Sequence, residues 1–212
     1  MSQIVPLLAS GTLALVYLMF FTNAAPSTLR SVVKTGAVAL LAISALPVPL
    51  LALALGLSAL GDFALSRDGD RAFLAGVAAF VLAHLAYVAV FLGLGGAPAL
   101  AVEWRIGAGL GVATVSLVMA RHLWPRSGPL RWPVLGYMGI IASMAISSLL
   151  VPAPFARPVI AAAVLFVLSD SLIATERFLI KAAPAPRWLP SAIWLTYWLA
   201  QFFFCIGIAR FL

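Results

Sequence analysis

The chain has 212 residues, of which 64% are hydrophobic and only 9% charged, with a mean hydropathy of +1.14. A soluble globular domain carries about 45–50% apolar and about 25% charged residues, so a cytosolic enzyme, a disordered chain and a disulfide scaffold are excluded and the bilayer is the expected solvent. The net charge of +7 comes from basic residues standing singly between apolar runs. That arrangement marks membrane topology and argues against a nucleic-acid partner. The single cysteine, Cys205, has no partner for an internal disulfide.

The apolar runs predict the elements in chain order. Ile4–Phe21 is the first, closed by Asn23 and Pro26. The stretch from Arg30 to Ser66 is roughly 54 Å long as one helix, too long for a hydrocarbon core of roughly 30 Å. Pro47-Val48-Pro49 divides it into two short spans, 30–46 and 50–66, because proline removes a donor and restrains its predecessor. Phe73–Leu94 is the fourth span, ended by Gly93, Gly95, Gly96 and Pro98. Ile106–Trp124, Trp132–Val151 and Pro158–Leu179 follow. Pro184, Pro186 and Pro190 then mark a loop before the last span, Trp188–Phe211. The expectation is an all-α, polytopic membrane protein: one domain over residues 1–212 with eight transmembrane helices.

The basic residues test that count independently. With the N-terminus outside, the inner loops hold Arg30, Lys34, Arg67, Arg71, Arg121, Arg126, Arg131, Arg177, Lys181 and Arg187, while the outer side keeps Arg105, Arg157 and Arg210. Such a bias obeys the positive-inside rule and would scramble if one span were missed. It predicts a multi-pass protein of a bacterial inner membrane with both termini outside. The first run lacks a basic n-region, so no cleavable signal is expected. A weak repeat accompanies the topology: Leu60-Gly61-Asp62-Phe63 and Leu168-Ser169-Asp170-Ser171 each place an aspartate after a small residue. A four-plus-four parallel duplication would align them.

Ionisable side chains inside a span are functional candidates by default, because each costs roughly 2.5–3.5 kcal/mol on insertion scales. Here they are Lys34, Asp62, His84 and Asp170. Helical rise puts all of them in the inner half or at the midplane. Neutral polar residues extend the set: Ser58 four before Asp62, Tyr87 on a stripe with Phe80, His84 and Phe91, Tyr137 near the inner start of its span, and Trp194, Tyr197 and Gln201 on one face. Blander readings stand beside these. Lys34 is placed to snorkel, His84 to bond between helices, and the aromatic stripes to pack. Trp124, Trp132 and Trp188 suit interface anchoring. Asp68 and Asp70 suit solvated pairing with Arg67 and Arg71.

Two carboxyl groups in a low-dielectric pocket do not readily both ionise. An acid beside an anion suits a reaction through an oxocarbenium-like cation, the division of labour used in glycoside hydrolysis. A vinyl ether has the same needs: protonation of the alkene carbon, stabilisation of the cation and attack by water. Two histidines are too few for a three-histidine zinc site, and no serine sits in a nucleophile elbow. No metal or cofactor is expected. A proton-coupled transporter of lipids or small molecules is the rival reading, since buried carboxylates also relay protons.

Leu60-Gly61-Asp62-Phe63-Ala64-Leu65, followed by Phe73-x-x-Gly76-x-x-x-Phe80-x-x-x-His84-Leu85-x-Tyr87, resembles the YhhN-like lysoplasmalogenase family of integral membrane proteins. So do Pro133-Val134-x-x-Tyr137, Phe166-x-x-Ser169-Asp170-Ser171 with Arg177-Phe178, and Thr196-Tyr197-x-x-Ala200-Gln201. The resemblance implies an eight-helix membrane enzyme that hydrolyses the vinyl ether bond of a lysoplasmalogen to a fatty aldehyde and a glycerophospho head group. It implies Asp62 and Asp170 as catalytic residues and matches Lys34 to the lysine of the family's second span. Lys34, with Arg177 or Arg71 at the inner mouth, is a candidate for the lipid phosphate. Ser58, His84, Tyr87, Tyr137, Ser169, Tyr197 and Gln201 are candidates for supporting or water-positioning roles. The expected partners are a lysolipid substrate and membrane lipids.

Overall fold

A computed structural model describes residues 3–95, 103–180 and 186–209. Gly96, Pro98, Lys181, Pro184 and Arg210, which entered the span boundaries and the charge count, lie outside the described residues. Among the described residues the chain is all-helical, with eight α-helices: α1 Ile4–Phe20, α2 Thr28–Ser44, α3 Pro49–Leu65, α4 Asp70–Gly93, α5 Glu103–Leu123, α6 Arg131–Ser148, α7 Ala156–Ala174 and α8 Leu189–Ala209. A π-helical turn, Thr175–Leu179, continues α7. Local chemistry sets these limits. The Ser27 side chain caps α2 by accepting from the Arg30 amide. Pro49 opens α3 at a position where its missing N–H costs nothing. Gly69 precedes α4 with φ +97°, a backbone state that a side chain would strain.

Among the described residues five helical segments are long and apolar enough to cross a membrane: Asp70–Gly93, Glu103–Leu123, Gly128–Ser148, Ala156–Leu179 and Leu189–Ala209. The apolar helices α1 and α3 are shorter, at 17 residues each. Large apolar side chains such as Leu8, Met19, Leu110 and Leu117 are more than 60% exposed. Water would not tolerate so continuous a greasy exterior, whereas lipid does. The architecture is that of a multi-pass membrane protein.

Because lipid is as apolar as a leucine core, helices in it associate through close packing and interhelical hydrogen bonds. Both occur here. Ser10 donates to the Ala37 carbonyl at 2.6 Å, joining α1 to α2. The Trp194 indole donates to the Ala14 carbonyl at 3.0 Å, joining α8 to α1. At one end of the bundle Ser66 donates to Ser31 at 2.7 Å, Thr22 bonds Ser191 at 3.0 Å and Arg177 pairs with Asp70 at 2.8 Å. These bonds gather the end of α1, the starts of α2, α4 and α8, and the ends of α3 and α7. At the opposite end Arg105 donates to the Leu149 and Val151 carbonyls, fastening α5 to the end of α6. Asp70 therefore pairs with Arg177, from 107 residues away, and not with its neighbours Arg67 and Arg71.

The packing follows the four-plus-four correspondence. α3 packs on α4 as α7 packs on α8, α1 on α2 as α5 on α6, and α2 on α3 as α6 on α7. The cross-contacts α4 with α6 and α8 with α2 exchange under the same operation. Among the described residues the match is incomplete at two places, since α8 packs on α3 with no comparable contact of α4 on α7, and on α1 with no comparable contact of α4 on α5. There α5 leans on α6 and makes little other contact.

Candidate active site

The cap at Ser27 fixes the start of α2 and so sets the register that carries Lys34 inward. Its ammonium lies 2.9 Å from Asp62 Oδ1 on α3. Asp62 is essentially fully buried, at 1% exposure, so the pair replaces hydration that the carboxylate has lost. The other carboxylate oxygen, Oδ2, accepts from the Tyr197 hydroxyl of α8 at 2.7 Å. Gly61 explains why a small residue precedes this aspartate. A Cβ there would meet the Phe80 ring at 2.6 Å, and Phe80 stands edge-on to Tyr197 with ring centroids 5.8 Å apart. The glycine lets α4 approach closely enough for Phe80 to hold that tyrosine.

Asp170 on α7 has a different set of partners. Its Oδ2 accepts from the Tyr137 hydroxyl of α6. Among the described residues the ion pairs are Lys34–Asp62 and Arg177–Asp70, so Asp170 stands without a counter-cation. Both aspartates line one cavity of about 490 Å³, together with Lys34, Tyr137 and Tyr197. Phe73, Phe80, Ile141 and Val167 supply an apolar wall, and Arg30, Glu176 and Arg177 supply a charged rim. A cavity of this size, mostly apolar with a few convergent polar groups, is the usual form of a small-molecule or lipid site. No three His, Cys, Asp or Glu side chains among the described residues gather closely enough to ligate one ion.

The remaining sequence candidates separate into two groups. Arg177 lines the cavity, with its guanidinium 3.8 Å from the Phe73 ring centroid. Ser58, His84, Tyr87, Ser169 and Gln201 are buried but do not line it. Ser58 donates to the Ala54 carbonyl of its own helix, and Ser169 to the Ile193 carbonyl of α8. Tyr87 donates to Gln201 Oε1, forming a polar pair between α4 and α8. His84 Nδ1 bonds the Phe80 carbonyl. A carbonyl only accepts, so Nδ1 carries the proton and Nε2 is left as an acceptor, and that atom has no partner in the protein. The imidazole packs against Phe166 and Tyr137, so it supports the tyrosine that holds Asp170.

Sequence reasoning passed over Tyr17, Arg30 and Glu176 as site residues. Tyr17 lines the cavity and packs on Trp194 at 4.4 Å between centroids. Arg30 reads in the sequence as a topology marker, and Glu176, three residues before the end of the Pro158–Leu179 span, carries no assigned role there. The half-buried state of both is the signal that the spacing alone does not carry.

The fold and site together define a helical membrane protein with two carboxylates facing one internal chamber. The YhhN family matches residues 29–208, and the chain belongs to that family. It is 33% identical over 158 residues to proteins named lysoplasmalogenase from Mycobacterium bovis and Mycobacterium tuberculosis. The match covers 71% of this chain and 59% of each relative, so the chain spans about three-fifths of their length. No solved structure matches the chain.

Proposed function

We propose that the protein is a membrane hydrolase that cleaves the vinyl ether bond of a lysoplasmalogen, with Asp62 and Asp170 as its acid–base pair. The observation that carries the reading is the shared chamber, in which only Asp62 has a cationic partner. A carboxylate held by an ammonium keeps its charge, and a carboxyl without one is the better proton donor. Asp170 therefore protonates the alkene carbon. Asp62, oriented by Lys34 and Tyr197, faces the resulting oxocarbenium ion and directs a water molecule onto it. The attacking water gives one proton to Asp170, which passes it to the glycerol oxygen as the hemiacetal collapses; the hemiacetal hydroxyl proton returns to Asp170, so the aldehyde is released neutral and the acid is restored. The net change is one water consumed, one aldehyde and one alcohol formed.

In this reading all eight helices cross the bilayer, with both termini outside a bacterial inner membrane. The end that carries Arg67, Arg71, Arg126, Arg131, Arg177 and Arg187 faces inward. The names of the mycobacterial relatives, the family membership and the apolar wall beneath a charged rim support it. Purified protein in detergent should release fatty aldehyde from lysoplasmenylethanolamine. Asp62→Asn and Asp170→Asn should each cut that release by roughly 10²-fold or more, the usual weight of a general acid or base. Near-normal turnover in either variant would remove the two-carboxylate mechanism. The rival transporter reading requires substrate or proton flux across sealed vesicles with every lipid chemically unchanged, which mass spectrometry of the same samples reads directly.

A further inference from the structure

Glu176 is a carboxylate with no stated use. It sits in the π-helical turn after α7, half-buried, and lines the same cavity as the two aspartates. Among the described residues it takes part in neither of the ion pairs. A carboxylate at the edge of the apolar region is costly unless something pays its desolvation, and such residues mark ligand paths. Arg30 lines the same rim. Its Nε donates to the Phe21 carbonyl at 3.1 Å, and its guanidinium lies 5.9 Å from the Tyr17 ring centroid. That anchoring restrains the guanidinium while, among the described residues, its two terminal nitrogens have no acceptor. Lys34, one helical turn deeper, is already engaged by Asp62. The neighbouring Arg177 is likewise engaged, by Asp70.

We infer that the rim is a headgroup site for a phosphate ester bearing an amine, in which Arg30 takes the phosphate and Glu176 takes the ammonium. This rests on the lysolipid reading above and refines it to a charge preference. The chemistry fits each group. A guanidinium with two donors left in one plane matches two oxygens of a phosphate. A carboxylate lining the same cavity rejects an anionic headgroup and accepts a cationic one, so selection comes from repulsion as much as attraction. Lys34 is then reserved for Asp62, and the phosphate is held at the mouth, away from the reacting bond.

The test compares three 1-alkenyl lipids as substrates for the purified full chain: the phosphoethanolamine ester, the phosphate monoester lacking an amine, and the unphosphorylated alkenylglycerol. Wild type should prefer the phosphoethanolamine ester. Glu176→Gln should lower the ratio of kcat/KM for the phosphoethanolamine ester over the phosphate monoester by about tenfold, mostly through KM, as expected for the loss of one partly exposed charge contact. Arg30→Gln should lower the preference for both phosphorylated lipids over the alkenylglycerol. An unaltered ratio in Glu176→Gln, or an equal loss on all three lipids, overturns the assignment. Binding of the saturated 1-alkyl analogues, followed by the fluorescence of Trp194 in the cavity wall, reads the same preferences without turnover. If no lipid yields aldehyde while those affinities still divide by headgroup charge, the hydrolase reading fails and the headgroup site stands.

Discussion

Lys34 and Tyr137 hold the same place in the two halves of the bundle. Each is the seventh residue of its helix, and each engages the aspartate of the helix that follows. One half thus presents an aspartate to an ammonium and the other presents its counterpart to a neutral hydroxyl. In the proposed mechanism this one difference is what separates an anion from a proton donor. The two positions should accordingly respond differently to truncation.

Lys34→Met leaves Asp62 buried beside one tyrosine and no cation. Removing one partner of a buried ion pair costs about 3–5 kcal/mol. Lys34→Met should therefore melt well below wild type in detergent, whereas Lys34→Met/Asp62→Asn should regain much of that loss and stay inactive. Equal melting temperatures for the single and double variants would show that the pair contributes no coupling.

Tyr197→Phe removes the hydroxyl from Asp62 Oδ2 but keeps the ring that Phe80 and Phe166 pack against. A hydrogen bond to a charged group is worth about 1.5–3 kcal/mol, so turnover should fall by roughly 10- to 150-fold. The fall should appear in kcat with KM little altered, because the bond orients a reacting group and does not hold the lipid. Steady-state aldehyde release as a function of substrate concentration reads the split.

Gly61→Ala tests the helix approach beneath the site. The new methyl group would lie 2.6 Å from Phe80 Cε2, and overpacking of this kind costs about 1–3 kcal/mol. Phe80 has to shift from Tyr197, so the variant should lose activity along with thermal stability. Gly11→Ala, where a Cβ meets nothing within 4 Å, serves as the matched control and should behave as wild type in both measurements.

Tyr87→Phe should act on stability alone. The hydroxyl serves Gln201 Oε1, Gln201 Nε2 has no protein partner, and neither residue lines the cavity. Stranding the second polar atom of a buried amide costs about 1–3 kcal/mol. A lowered melting temperature with kcat within twofold of wild type is the expected pair of readings, and a larger loss of kcat would bring this residue back into the reaction.

The two aspartates were legible because an ionisable group in an apolar run has no bland explanation that costs little. The eight helices were legible for a related reason, since prolines and glycines are the punctuation of an otherwise uniform text. Helical periodicity then assigns a residue to a face, but it does not say which helix that face meets. Phe80, His84, Tyr87 and Phe91 share a stripe on α4, yet only Phe80 reaches the chamber. Tyr197 and Asp62 are 135 residues apart, and nothing in the spacing of either run pairs them. Arg30 stayed hidden because a basic residue at a span end reads as an orientation signal, and Glu176 because a charge within a turn of a span end stands out less than one at mid-span. Arg177 found Asp70 through tertiary packing, which the local cluster of opposite charges disguised.

The sparse support of α5 has a consequence for how an amphiphile would occupy the chamber. Val115, Ser116, Met119 and Leu123 of this helix line the chamber, although Val115 is 55% exposed, and among the described residues the helix packs chiefly on α6. A hydrocarbon tail can therefore trail sideways through the flank away from α6 and remain dissolved among its neighbours in the leaflet, while the polar end docks at the rim. For the proposed lysolipid substrate, tail length would then contribute little to docking, and the molecule would not have to be lifted free of the membrane to react.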